Sequence, residues 1–294
     1  MANLKEIQRK IRSVKNTQKT TNAMKLVSSA KLKRTEELAK QSKVYAAKIT
    51  EMIDEIAANI AKQGDEVDNI FFKQVPNPKV VDLVFVTADK GLCGGFNSQT
   101  IKHINKLLAE FQESNITIRL RAIGKKGISY YRFNGVDMAQ EISDLSAAPT
   151  YARAAEFINE VVEDYIQGNT DRIIVVHNGY VNMITQEIRQ EQLVPVDGSD
   201  LVGHAVSTSE LEIEPDDDDT LLEALVRRYL EYSMYYALID SLAAEHSARM
   251  QAMDSATTNA KEMADKLTVK YNKARQESIT TELIEIISGM ESMK

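Results

Sequence analysis

Residues 4–34 read LKEIQRKIRSVKNTQKTTNAMKLVSSAKLKR. Leu4, Ile7, Ile11 and Val14 fall at alternating spacings of three and four, the apolar seam of a coiled-coil helix. The seam turns polar at Gln18 and Thr21, resumes at Met24 and Val27, and runs on through Leu38, Tyr45, Ile49, Met52, Ile56 and Ile60. Neither Gly nor Pro interrupts it before Gly64. One helix over residues 4–60 would be roughly 85 Å long at ~1.5 Å per residue.

The other end repeats the pattern. From Thr220 to Ser288 there is again neither Gly nor Pro, and Met250, Met253, Ala256, Ala260, Met263, Leu267, Tyr271 and Ala274 form an apolar or small-residue stripe. That helix would be on the order of 100 Å long, whereas a globule of this chain length spans only about 50 Å. The expected solution is an antiparallel coiled coil in which segments 1–62 and 219–294 pair as one rod. Its seam is rich in Ala, Thr, Met and Gln and poor in Leu, so burial alone stabilises it little. The open alternatives are a marginal two-helix hairpin and a rod sheathed by other subunits.

Between the helices the pattern changes. Val80–Val86 (VVDLVFV) is an apolar run of strand length that ends in the glycine-rich turn TADKGLCGGFN, Thr87–Asn97. A helical stretch (98–113), a strand (116–123), a short helix after Gly124, a helix at 151–167, a strand at 172–176 and an alternating edge strand at 184–194 follow. Strands alternating with helices predict a central α/β (Rossmann-like) domain over 75–200 with a mainly parallel sheet. The boundaries fall near 63–78 and 196–219. The fold class expected is thus a mixed one, a long antiparallel coiled coil plus this α/β domain.

Composition narrows the class. The 294 residues are 43% hydrophobic and 27% charged, with 6% aromatics and no Trp, a folded chain suited to helix packing. No stretch approaches the ~18 apolar residues of a membrane span. Charges at the N-terminus argue against a secretory signal. One cysteine, Cys93, excludes an internal disulfide and a Cys-based zinc site, and His103, His177, His204 and His246 show no ligand spacing. The net charge of −7 conceals polarity: residues 1–34 carry ten Lys or Arg against Glu6, and residues 197–223 carry ten acids without a Lys or Arg. A basic arm calls for an acidic partner, and the run Asp216–Asp219 suits the positive end of the helix expected to begin near Thr220.

Gly91, Gly94 and Gly95 stand where phosphate-binding loops occur, but the loop lacks Lys-Ser/Thr at the helix start and is not G-x-G-x-x-G. The glycines are explained by turn geometry. Cys93 reads as buried filler in preference to a nucleophile. Asp89 and Lys90 read as a surface pair or partner contact in preference to an acid/base couple. No catalytic, metal or cofactor site is expected.

Three stretches carry a resemblance: Leu4–Arg34, GLCGGFN at 91–97, and RMQAMDSATTNAKEMADKLTVKYNKARQESITTELIEIISG at 249–289. In order and over essentially the whole chain, they resemble the gamma subunit family of F-type ATP synthases. Met290 after Gly289 departs from a usual Ala, and Ser28 and Ser29 replace a commoner Ala pair. The resemblance implies a non-catalytic rotary shaft, one copy per complex, whose terminal helices turn inside a ring of three alpha and three beta subunits. Its α/β domain would meet the epsilon subunit and the membrane c-ring, coupling ion flow to ATP synthesis or hydrolysis. It implies a peripheral position on the cytoplasmic face of a bacterial cell membrane, which the missing transit peptide and missing Cys pair also favour. The residues it marks for subunit contact and coupling are Met24, Lys25, Asp89, Lys90, Gly91, Gly94, Gly95, Arg249, Gln276, Glu282 and Glu285. Met24 and Lys25 match the position facing the beta-subunit lever, near an expected pairing with 276–285, and Lys90 the segment facing the ring's lower rim. A nucleic-acid adaptor fits less well, since residues 1–34 contain no aromatic side chain. An α/β enzyme with helical arms would require nucleotide or metal binding. Met24→Lys, adding charge beside Lys25, is expected to impair coupling more than assembly; proton pumping per ATP hydrolysed is the measurement, and an unchanged ratio contradicts it.

Overall fold

The computed structural model describes residues 4–62, 70–196 and 218–291. Helix α1 spans Leu4–Lys62, and helix α5, Asp218–Glu291, is the longest element, passing through Gly289. Between them lie β1 (Val80–Val86), α2 (Phe96–Glu113), β2 (Thr117–Ile123), α3 (Lys125–Phe133), β3 (Gln140–Ile142), α4 (Tyr151–Ile166), β4 (Arg172–Tyr180) and β5 (Gln186–Val194). The chain divides into two units, one of residues 1–29 with 249–294 and one of residues 30–248. Asp216 and Asp217 lie outside the described residues, as do the side chains of Asp218 and Asp219, and the expected helix-dipole role of that run lies outside them too.

The first unit pairs the start of α1 with the end of α5, antiparallel. Thr21 Oγ1 meets Thr257 Oγ1 at 2.7 Å, and Lys25 Nζ donates to Asp254 Oδ1 at 2.7 Å. Burial follows the heptad: Leu4, Ile7, Ile11, Val14, Gln18, Thr21, Lys25 and Ser28 are sheltered at spacings of three and four, with Met24 and Ser29 partly sheltered beside them. The expected apolar seam holds at Met24, which is half-buried, and is corrected at Val27, which is 57% exposed while Ser28 is 2% exposed. On α5 the stripe is as expected except that Ala264, not Met263, faces inward. The register is kept through polar and small residues, and the apolar ones it strands outside, Leu26, Val27 and Met263, face outward.

In the second unit β3-β2-β1-β4-β5 form one sheet, parallel apart from the antiparallel β4–β5 edge pair. Period-two alternation sorts each strand onto two cores. Val81, Leu83, Phe85, Ile174 and Val176 pack under α2 and α3 with Ile104, Leu107, Ile128 and Tyr131. Val84, Val86, Ile173 and Val175 face α4 (Phe157, Ile158, Val161) and the α5 residues Val226, Leu230, Met234 and Leu238. The burial of α1 in this unit again runs on the heptad, through Leu32, Thr35, Ser42 and Ile49; Leu38 and Tyr45, expected inside, are 42% and 45% exposed. Tyr45 instead lies against Tyr232, their ring centroids 4.1 Å apart.

Two charged residues of the sheet itself are buried. Arg121, 1% exposed, bonds Asp82 at 3.2 Å, Gln140 at 3.0 Å and also Asp164. Burial pushes the Asp82 carboxyl above its usual pKa despite Arg121 and Arg119. Asp164, though partly desolvated, is held below it by hydrogen bonds from Arg119, Asn169 and Arg121.

Gly124, between β2 and α3, has φ +102°, and a Cβ there would stand 2.0 Å from the Thr87 carbonyl oxygen. Gly124→Ala is therefore expected to destabilise the chain by about 2 kcal/mol or more, because a backbone clash adds to left-handed strain. The denaturant midpoint of the purified chain should fall, and an unchanged midpoint contradicts this packing.

Candidate functional site

Open α/β sheets bind ligands at the carboxyl ends of their strands, where the strand order reverses. Here that point lies between β1, whose chain moves on to β2 and β3, and β4 on its other side. It is filled by the protein itself. Ala88 and Cys93 of the β1–α2 turn and Phe96 at the start of α2 pack on Ala244 and Ala248 of α5, with Tyr180 alongside. The small side chains of α5 let its backbone approach the turn. Cys93 is 2% exposed and its sulfur accepts from Asn97 Nδ2 at 3.2 Å, which agrees with its reading as buried filler.

The anion-favouring start of α3 is occupied too. The Asp89 carboxylate accepts from the backbone N–H of Lys125 (3.0 Å), Asp144 (3.0 Å) and Ala147 (3.2 Å), and from the Ser146 hydroxyl (2.8 Å). It thereby joins the loops that follow β1, β2 and β3 and stands where a phosphate would stand on a nucleotide-binding turn. This corrects the surface-pair expectation: Asp89 is 8% exposed and saturated by internal donors, while Lys90 beside it is exposed.

The rest of the turn is surface. Gly94 takes φ +58° and Gly95 caps α2 with right-handed geometry. Gly91 lies alongside Lys126, whose Cε is 3.7 Å from where a Cβ would sit. Leu92 adopts φ +63° and is 63% exposed, an apolar side chain presented outward from a backbone region that disfavours it. No spacing rule marks that residue in the sequence.

A second cluster joins α5 to the sheet's antiparallel edge. His177 on β4 and Arg189 on β5 are cross-strand partners, and both reach Oδ2 of Asp240 on α5, at 3.1 Å and 2.7 Å. Oδ1 accepts from the Tyr180 N–H at 3.1 Å. His177 is wholly buried and Asp240 3% exposed. A carboxylate oxygen only accepts, so His177 Nε2 is the donor of its bond to Asp240, while Nδ1 has no hydrogen-bond partner among the described residues. Burial opposes the Arg189 charge, yet Asp240 and Glu187 hold its pKa above the usual value. His177 has no ligand spacing in the sequence, and nothing local in the sequence marks Asp240.

On the paired helices, Met24 is half-buried and Lys25 bonds Asp254, with the two side chains 37% and 58% exposed. The expected pairing of Met24 with 276–285 is corrected by the register: Thr21 opposite Thr257 places the level of Met24 near residue 254. Gln276, Glu282 and Glu285 are exposed on α5, and Arg249 is 9% exposed. Among the described residues no cluster of His, Cys, Asp or Glu could hold a metal ion, and no helix is long and apolar enough to cross a membrane.

The family described as ATP synthase matches residues 3–293. An ATP synthase gamma chain from Sulfurovum sp. strain NBC37-1 is 71% identical, with all of both chains aligned. One from Campylobacter jejuni (strain 81-176) is 57% identical over the whole of both chains. The chain belongs to the ATP synthase gamma family. Among solved structures, a chain of the Euglena gracilis mitochondrial ATP synthase shares the fold at TM-score 0.66, with 18% identity over 99% of this chain and 94% of that one. A chain of the Tetrahymena thermophila mitochondrial ATP synthase central stalk and c-ring does so at TM-score 0.62, with 24% identity over 81% of this chain and 99% of that one.

In this gamma-family chain the Asp89 knot and the Lys25 ion pair differ sharply in their stakes. Asp89→Ala leaves three backbone N–H groups and a hydroxyl without their charged acceptor, so a loss on the order of 3 kcal/mol is expected. Lys25→Ala breaks an exposed pair and should cost at most about 1 kcal/mol. Thermal unfolding of the two variants checks the contrast; equal losses contradict it.

Proposed function

We propose that this chain is the central shaft of an F-type ATP synthase, a non-catalytic subunit that carries rotation between a membrane c-ring and a catalytic ring of alpha and beta subunits. The observation that carries the reading is the antiparallel pairing of the two chain ends, Thr21 to Thr257 and Lys25 to Asp254, in a chain aligned end to end with gamma chains. Both long helices are unbroken, so a twist applied at one level passes along the backbone hydrogen-bond ladder.

The chemistry of the surface supports the partners. Ten basic residues in 1–34 suit acidic loops on the beta subunits. Leu26 and Val27 face outward at 63% and 57% exposure, offering apolar contact to a surrounding sleeve. The α5 end beyond the start of α1 does likewise: Ile279, Leu283, Ile284, Ile286, Ile287 and Met290 are each at least half exposed. Coupling needs no reacting group on this chain. A shaft that contacts the conformations of each catalytic site unequally shifts their populations as it turns. Within this reading 1–62 and 219–294 serve as the shaft and 75–200 as the body that meets epsilon and the c-ring. Met24, Lys25 and Arg249 act at the catalytic ring, Gln276, Glu282 and Glu285 within its sleeve, and Lys90 with the glycines 91, 94 and 95 at the lower rim. Asp89 acts through the loops it ties. The complex sits on the cytoplasmic face of a bacterial membrane, to which this chain attaches only through its partners.

Pull-down of the tagged chain from detergent-solubilised native membranes, with subunit ratios by mass spectrometry, tests the proposal. Three alpha and three beta subunits per copy, with epsilon and c subunits, are expected; recovery alone or with nucleic acid overturns it.

A further inference from the structure

We propose that Asp240 is the tie through which torque passes between helix α5 and the sheet of the α/β domain, with His177, Tyr180 and Arg189 as its positioning partners. The inference rests on the shaft reading above. Most of the contact between α5 and the sheet face is apolar, through Val226, Leu230, Met234 and Leu238. Apolar burial is non-directional and resists separation better than it resists sliding or rolling of a helix. A carboxylate held by three donors from fixed directions resists both, and charge-assisted bonds are the stronger kind.

The geometry is built for that purpose at several points. The donors come from both strands of the edge pair, so the tie spans β4 and β5 instead of hanging on one strand. Arg189 reaches Asp240 by lying across Gly179, where any Cβ would stand 2.3 Å from its Nε. Its guanidinium is steadied by Glu187 at 3.2 Å and the Tyr180 carbonyl at 3.5 Å. Asp240 stands eight residues before Ala248, where the second unit ends, on the same unbroken helix that continues into the paired segment 249–291. Seven residues on, Ser247 of α5 takes a bond from the Gln186 side chain of β5 and gives one to the Met183 carbonyl, but these are neutral bonds. A turning force on the sheet therefore enters α5 chiefly at the charged Asp240 contact and leaves along the helix backbone.

The test is the torsional compliance of the assembled ATP synthase, with the catalytic ring fixed and a bead on the α/β domain through Lys106→Cys, an exposed position. Asp240→Asn keeps the shape but removes the charge, and Gly179→Ala displaces Arg189 without touching Asp240. Both are expected to assemble and hydrolyse ATP at the parent rate, yet to show roughly two-fold larger angular variance in the stalled state, since charge-assisted bonds are about twice as strong as neutral ones. Asp240→Glu should recover most of the stiffness. Should Asp240→Asn fail to assemble, Gly179→Ala and the milder Arg189→Lys carry the test. Angular variance equal to the parent, even with lowered thermal stability, overturns the tie and leaves the shaft reading intact. A bead on the parent complex that does not rotate with ATP overturns the shaft reading itself.

Discussion

The packing of α5 against the carboxyl end of the sheet is the constraint on which the α/β domain depends. Ala244 and Ala248 sit on Cys93 and Phe96, and Asp240 is bonded to the end of β4. A sheet of this topology would otherwise leave a crevice at the reversal of strand order. Here that crevice is the seat of a helix, and the Asp89 carboxylate takes the neighbouring position where a bound phosphate would balance a helix dipole. An architecture familiar from nucleotide-binding proteins is thereby turned into a mounting for α5.

The paired helices follow a different economy. Their heptad register is kept through Gln18, Thr21, Lys25 and Ser28, residues that gain little from burial. The larger apolar residues of the same stretch, Leu26 and Val27, point outward. A helix pair left to itself would be expected to do the reverse. Such a distribution suits a rod whose outer surface, more than its inner seam, is covered by partners, and whose own pairing is loose enough to be thin.

Much of this was legible in the residues. Strand β1 and the long helices were readable because period and length agreed and no Gly or Pro intervened. Beyond Thr21, hydrophobicity alone places Val27, Leu38 and Tyr45 inside, whereas the backbone period carries Lys25, Ser28, Leu32 and Thr35 there, with Met24 half-buried beside them. Strand β3 is only Gln140–Ile142, too short and polar to announce itself. The Asp89 knot and the His177–Arg189–Asp240 cluster join residues tens of positions apart, so neither leaves a spacing signature. At the turn the local pattern lacks Lys-Ser/Thr at the helix start, and the structure sets the Asp89 carboxylate against the start of α3.

If α5 replaces a ligand in the sheet's crevice, the purified chain has no place for a nucleotide. Isothermal titration of the chain with ATP, ADP and NAD tests this most directly. No saturable heat is expected up to ligand concentrations of about 1 mM, the level at which even weak specific binding of roughly −4 kcal/mol would be seen. Saturable one-to-one binding, lost on substituting Ala244 by a bulky residue, would contradict it.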